Sequence, residues 1–206
     1  MISFKNPFLL SAIVVSVMSS YLQAQSPDQK ATIAFRLVKA KTMHFDDSKT
    51  AEQHLATVKK LGCKASSESH GDHIDVTYEC ANWNSLTVAN HELAHQWQGW
   101  MKGAGFQTIH GHPANAAHDH SHEDGANHEI ISYQLSQWIT QEHESKPAAS
   151  GAAAVFRGLG CEVKEDGEAV SFRCPVAMSV EFASHDTAHA WQEWLNRTGF
   201  KTSHDH

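Results

Sequence analysis

The stretch NHELAHQWQGWMKGAGFQTIHGH, residues 90–112, decides how this chain is organised. The last 23 residues, SHDTAHAWQEWLNRTGFKTSHDH at 184–206, repeat it. Aligned from His91 and from His185, eleven of twenty-two positions are identical, and four of the eleven are histidines. A fixed internal repeat indicates a duplicated structural unit. The chain is therefore expected to hold two copies of one fold.

The duplication divides the 206 residues into repeats at 30–112 and 128–206, with a polar, histidine-rich linker at 113–127. Alternating apolar residues predict strands, and apolar residues at helical spacing predict helices, in the same order in both copies. The predicted order is βαββ(β)αβ, with a short extra strand at 85–89 and at 179–183. It indicates an α+β class, built as a tandem duplication of a ferredoxin-like α/β sandwich.

The repeated stretch itself predicts a helix with well-marked ends. Asn90 and Ser184 are favourable N-caps, and Gly105 and Gly199 are suitable terminators. The paired tryptophans of this helix, of which Trp100 is one, are interpreted as core residues.

Residues 1–24 have the features of an export signal. Lys5 precedes an apolar run at 8–18, and a polar segment ending in Ala24 follows. The run is too short for a membrane-spanning helix. We therefore expect an exported protein, periplasmic or secreted, with no membrane span once the signal is removed.

The charge of the mature chain argues against a nucleic-acid partner. Loss of Lys5 leaves 15 basic and 23 acidic residues, a net charge of −8 with neutral histidines. Phosphate backbones are bound by basic surfaces, which this composition does not supply.

The four cysteines fall into one pair per repeat, Cys63 with Cys80 and Cys161 with Cys174. An even count in an exported protein favours disulfides. The second pair is four residues closer together, an even difference that leaves both side chains on the same face of a hairpin. The sequence thus predicts one disulfide in each repeat.

Length arithmetic brings the histidines of the helix level with those of the last strand. His95 lies about 15 Å before Gly105 along a helix, and His110 about 16 Å beyond it along a strand. The same estimate pairs His91 with His112. Two histidines one helical turn apart, facing two on alternate strand positions, would form a four-nitrogen site for Zn²⁺, Cu²⁺ or Ni²⁺.

The second repeat offers the corresponding set His185, His189, His204 and His206, and the linker adds His118, His120 and His122. Short histidine-rich tracts are typical of metal binding. Two alternatives stay open. The helix histidines could lie at the core margin with the strand histidines at solvated ends, or the cysteine pairs could join the helix histidines as zinc ligands.

The pentapeptide HELAH at 91–95 resembles the HExxH motif of the zincin metalloproteases. That resemblance implies zinc ligation by His91 and His95, with Glu92 as the general base. The second copy reads HDTAH, in which Asp186 is the shorter acid. An acidic residue in the first helical turn is also favoured by the helix dipole alone.

Together these features predict an exported protein that binds divalent transition metal as a buffer, carrier or sensor. They favour a non-catalytic protein, while enzymatic activity stays open. The alternative from another class is a ligand- or partner-binding module in which the duplicated helices form the interface between the domains, with Trp100 and Trp194 there. The minor alternative is the zinc metalloprotease. Pairing of the domains within one chain or in a homodimer stays open, as does glycosylation at Asn196.

Overall fold

The computed structural model describes residues 30–114 and 129–205. The predicted signal peptide, almost all of the linker with His118, His120 and His122, and the terminal His206 lie outside these ranges. The described residues form a mixed α+β structure with two antiparallel sheets and four helices. The predicted α+β class is confirmed.

The two halves contain the same succession of six elements, to which the first half adds a short final strand. Those of the first half are β1 (Ala31–Phe45), α1 (Ser48–Lys60), β2 (Lys64–His70), β3 (His73–Val88), α2 (His91–Gly103), β4 (Gln107–Ile109) and the short β5 (His112–Pro113). Those of the second half are β6 (Glu129–Glu142), α3 (Lys146–Gly158), β7 (Glu162–Asp166), β8 (Ala169–Phe182), α4 (His185–Arg197) and β9 (Lys201–Asp205).

The first sheet has the strand order β2-β3-β1-β4. The second has the order β5-β8-β6-β9, and β7 also pairs with β8. The extra short strand expected at 85–89 is the continuation of β3, which pairs with β1 from Ile74 opposite Phe45 to Val88 opposite Ala31. The pairing of β1 with β3 shifts register twice, and these shifts let β3 continue through a segment whose sequence resembled a strand break.

The ends of the repeated helix follow the predicted caps. The side chain of Asn90 accepts a hydrogen bond from the Leu93 amide, and that of Ser184 accepts one from the Thr187 amide. Gly105 and Gly199 adopt φ values of 88° and 101°, which other residues rarely adopt. These caps fix the N-terminal ends of α2 and α4, where the paired histidines occupy the first and fifth helical positions.

Helix α3 joins the two halves, because it packs against β1 and β3 of the first sheet as well as β7 and β8 of the second. Gly158 lies so close to the first half that a Cβ atom there would be 2.8 Å from the Ala34 nitrogen. Ala34 and Ile109 accordingly belong to the same apolar core as α3. The alanine-rich composition of α3 is the consequence of burial on two sides.

A second contact between the halves is made by the backbone of β5. His112 pairs with Ser179 and Pro113 pairs with Met178 on β8. The Ala114 amide then donates to the Ala177 carbonyl at 2.9 Å. The strand that ends the first half is thus an edge strand of the second sheet.

The four cysteines are buried free thiols in the structure. Cys63 hydrogen bonds with Cys80, and Cys161 with Cys174, so each predicted pair is brought together. The hydrogen bond to Cys80, together with burial, raises the pKa of Cys63. The pairing by repeat matches the expectation, but the sulfurs are not at disulfide distance, so the S–S bonds themselves are not shown and stay a prediction.

Within 30–114 and 129–205, no helix is both long and apolar enough to cross a membrane.

Candidate metal centre

The first two turns of α2 and the segment after β4 bring four histidines of the first half together. His91 and His95 lie one helical turn apart and share a face of α2. His110 and His112 follow β4, and both are buried. The four predicted residues are therefore neighbours in space, as the length arithmetic required.

Three of the four direct a nitrogen atom to a common point. The Nε2 atom of His91 lies 2.9 Å from Nε2 of His95 and 3.1 Å from Nδ1 of His112. All three ligand atoms lie within 4.8 Å of one another. In a tetrahedral zinc site with Zn–N bonds of about 2.0–2.1 Å, ligand nitrogens are separated by roughly 3.3 Å. The cluster is close to that geometry.

His110 takes a different position, on the other nitrogen of His91. Its Nδ1 atom lies 2.9 Å from the Thr32 carbonyl oxygen, which can only accept, so Nδ1 carries the proton. Its Nε2 atom is then an acceptor and lies 3.1 Å from Nδ1 of His91. The His91 Nδ1–H therefore donates to His110, which leaves the His91 Nε2 lone pair directed at His95 and His112.

Burial keeps His110 in the form that this chain of hydrogen bonds needs. Desolvation lowers the pKa of His110 to about 4, against the weaker opposing effect of the Thr32 carbonyl. A neutral ring at position 110 can accept from His91 at physiological pH, whereas a protonated ring could not. Such partners orient the rings of metal-binding histidines and set their tautomer.

The second half repeats the pair of helix histidines. Nε2 of His189 lies 2.9 Å from Nε2 of His185, the separation found between His95 and His91. The Nδ1 atom of His185 lies 3.3 Å from Oε1 of Glu129. The Glu129 carboxylate thus lies on the Nδ1 side of the His185 ring, and the Nε2 side again faces the next histidine on the helix.

Glu129 is the residue of this centre that the sequence reasoning missed. It occupies the position of Ala31 in the first half, and its Oε2 atom accepts a hydrogen bond from His204 Nε2 at 2.8 Å. The carboxylate thus lies between His185 and His204, where His110 contacts His91 directly in the first half. The available signal was an acidic residue opening β6, next to the strand that carries His204.

The described residues allow two ways to hold an ion in the second half. Glu129, His185 and His204 form a group whose ligand atoms lie within 4.8 Å of one another. The Nε2 pair of His185 and His189 forms the other, on the opposite side of the His185 ring. The first-half arrangement favours the Nε2 pair, with Glu129 as its orienting partner. The expected counterpart of His112 is His206, outside the described residues.

A cavity of about 500 Å³ opens beside the first centre, between the two halves. His91 and His110 line it, together with the charged side chains of Lys30, Glu92 and Arg157. Glu92 is exposed, and the cavity gives solvent a path to the His91 ring. An ion bound at the first centre is therefore accessible from outside.

The remaining predicted residues lie apart from these centres. Among the described residues, the three groups with metal-binding geometry contain no cysteine. Trp100 packs on Phe106 and Trp194 on Phe156, each against the core of its own half. Trp191 contacts Trp83 across the halves, with ring centroids 6.5 Å apart.

Comparison with known proteins adds no further assignment, since no protein-family model and no curated protein matches this chain.

Proposed function

We propose that this chain is an exported, histidine-rich protein that binds divalent transition metal ions as a buffer, carrier or sensor, at two centres related by tandem duplication. The observation that carries the proposal is the repeated pair of helix nitrogens, 2.9 Å apart in both halves. The first histidine of each pair has a partner on its Nδ1 side, a hydrogen bond with His110 for His91 and an ion-pair contact with Glu129 for His185. Zn²⁺, Cu²⁺ and Ni²⁺ are the ions that imidazole nitrogens favour.

The architecture proposed with it is a pair of ferredoxin-like units. The strand order β2-β3-β1-β4 and the succession strand, helix, hairpin, helix, strand support this interpretation. The proposed units are residues 30–112 and 128–206, which pair within the chain through α3. One disulfide in each unit remains part of the proposal, because the two cysteines of each pair are buried neighbours.

The test is native mass spectrometry of the untagged mature protein before and after EDTA. We expect bound metal that EDTA removes. Four missing thiol hydrogens would indicate disulfides. His95→Ala with His189→Ala should remove the ions of the two helix centres.

The matched control is Gln98→Ala with Gln192→Ala, on the same helix face, where each amide contacts a threonine of the adjacent strand. This variant should retain all bound metal. If the wild-type protein takes up no ion after incubation with Zn²⁺, Cu²⁺ and Ni²⁺, the proposal fails and the non-metal binding module becomes the leading hypothesis.

One observation favours hydrolysis as a second candidate function. Glu92 and His91 line the same cavity, and His112 supplies a third histidine nitrogen beside the HELAH pair. Three protein ligands with an accessible fourth position are the pattern of catalytic zinc. Zinc-dependent cleavage of denatured casein that Glu92→Gln abolishes would support it, and inactivity of the zinc-loaded wild-type protein would exclude it.

A further inference from the structure

The hairpin of the first half carries a second kind of histidine cluster, at the opposite end of β1 from the first centre. His44 on β1 is directly opposite Asp75 on β3, and His73 on β3 is directly opposite His70 on β2. Residues two apart on a strand share a face, so all four side chains lie on one face of three adjacent strands.

Asp75 is at the centre of this cluster. Its Oδ1 atom lies 2.5 Å from Nδ1 of His44 and 3.5 Å from Nε2 of His73. Its Oδ2 atom lies 3.6 Å from Nε2 of His70. One ligand atom each from His44, His73 and Asp75 falls within 4.8 Å of the others. The aspartate side chain is 20% exposed and that of His44 is 68% exposed, so the cluster is open to solvent.

We propose that His44, His73 and Asp75 form a third, solvent-exposed site for a divalent transition metal ion, with His70 beside it. Two imidazole nitrogens and one carboxylate oxygen are a donor set suited to Cu²⁺, Ni²⁺ or Zn²⁺. Water completes the coordination shell. The ion binds between strands that the backbone already holds in register, so only side-chain rotations are needed.

The site is independent of the duplicated centres. His44 lies twelve residues along β1 from Thr32, which contacts His110, a separation of up to about 40 Å at ~3.3 Å per residue. It also has no counterpart in the second half. There Glu142 faces Ala169 in the equivalent register, and the tip of the hairpin, residues 165–168, contains no histidine.

The competing explanation is an ion-pair cluster without metal. His44, His70 and His73 all lie within 4.0 Å of Asp75, and protonated imidazoles would be attracted to its carboxylate. Glu68 and Asp72 add negative charge around the same histidines. Exposed pairs of this kind contribute little to stability. The two explanations differ in whether a metal ion is retained at a pH where the histidines are neutral.

The experiment is paramagnetic line broadening by Cu²⁺ in the amide NMR spectrum of the full mature chain at neutral pH. Added Cu²⁺ should selectively broaden the amide resonances around His44, His73 and Asp75. Those of the β7–β8 hairpin, residues 165–168, should stay sharp and serve as the internal reference. The paired substitution His44→Gln with His73→Gln should abolish the selective broadening and lower the Cu²⁺ bound by one ion.

A second variant separates this site from the proposed function. With His95→Ala and His189→Ala, broadening at α2 and α4 should be lost, while the broadening around His44, His73 and Asp75 is retained. Two results would overturn the third site. One is that the broadening around Asp75 persists in the His44→Gln, His73→Gln protein. The other is that this broadening is absent from the wild-type protein at saturating Cu²⁺. The His44 side chain is exposed and that of His73 is partly exposed, so unchanged chemical shifts elsewhere are expected and would verify the fold of the variant.

Discussion

His91 illustrates how a ligand is prepared by its neighbours. Its Nδ1–H is directed to His110, whose own Nδ1–H is directed to the Thr32 carbonyl, so the Nε2 lone pair of His91 is directed toward His95 and His112 without any ion. For His185, the Glu129 carboxylate occupies the corresponding place, 3.3 Å from Nδ1. The two halves therefore hold equivalent rings with chemically different partners.

This division of roles predicts the effect of His110→Ala. The substitution removes an orienting partner but no ligand, so the first centre should keep its ion and bind it about 10–100-fold more weakly. Competition with a coloured chelator measures the change, and His95→Ala, which removes a ligand, is the comparison. Loss of one whole ion in the His110 variant would instead make His110 a ligand.

A second residue-scale prediction concerns His54, which is buried in the first core between Phe45, Tyr78 and Trp100. Its Nε2 atom has no hydrogen-bond partner among the described residues. Burial, with a smaller contribution from the charge of Lys41, lowers the pKa of His54 below its usual 6.5. The unfolded chain therefore binds more protons in the window below pH 6.5, and His54 costs stability as the pH falls through it.

His54→Leu should remove that contribution. The free energy of unfolding of the wild-type protein, relative to that of the variant, should fall between pH 7 and pH 5 when urea denaturation is followed with EDTA present. Parallel pH dependences for the two proteins would show that His54 does not titrate differently on folding.

At the scale of elements, α3 differs most from its counterpart α1. Helix α1 buries Ala51, His54 and Val58, whereas α3 buries twice as many residues, four of them alanine or glycine. Small side chains allow α3 to lie against both sheets. The many alanines of α3, which in the sequence only suggested high helix propensity, are needed for this close packing.

Two glycines of α3 should respond oppositely to alanine. A Cβ at Gly158 would lie 2.5 Å from the Ala34 Cβ and 3.0 Å from the Ile109 carbonyl oxygen, so Gly158→Ala should destabilise by about 1–3 kcal/mol. At Gly151 the nearest atom is 3.9 Å away, so Gly151→Ala should stabilise by about 0.5–1 kcal/mol. Thermal melts of both variants measure these changes in stability. Equal effects of the two substitutions would contradict the prediction.

The sequence predicted the elements well because their signals are local. Caps at Asn90 and Ser184 and the period of the repeat do not depend on distant residues. The proximity of His91, His95, His110 and His112 was also predictable. The rise per residue of a helix and of a strand gives the distance of each histidine from Gly105, and these distances match. Ring orientation was not predictable, because it depends on Thr32 and Glu129, which are remote in sequence from the residues they contact. The continuity of β3 was hidden by its register shifts.

At the scale of the whole molecule, metal binding should stabilise the fold. An ion bound only by the folded chain at a hundred times its Kd adds about 2.7 kcal/mol, roughly 5–10 °C in Tm for a chain of this size. The melting temperature should rise with Zn²⁺ at pH 7.5 and return to the metal-free value with EDTA. The rise should shrink at pH 5.5, where protons compete for the imidazoles. An equal rise at both pH values would contradict histidine ligation.

His112 has two attachments, its ring to the first centre and its backbone to Ser179 on the edge of the second sheet. Separation of β5 from β8 would therefore also move the Nδ1 atom of His112 away from an ion bound at the first centre. In the second half, His204 pairs through its backbone with Ile131 of its own sheet. Ion binding at the proposed first centre should therefore depend on β5 remaining paired with β8, that is, on the contact between the two halves.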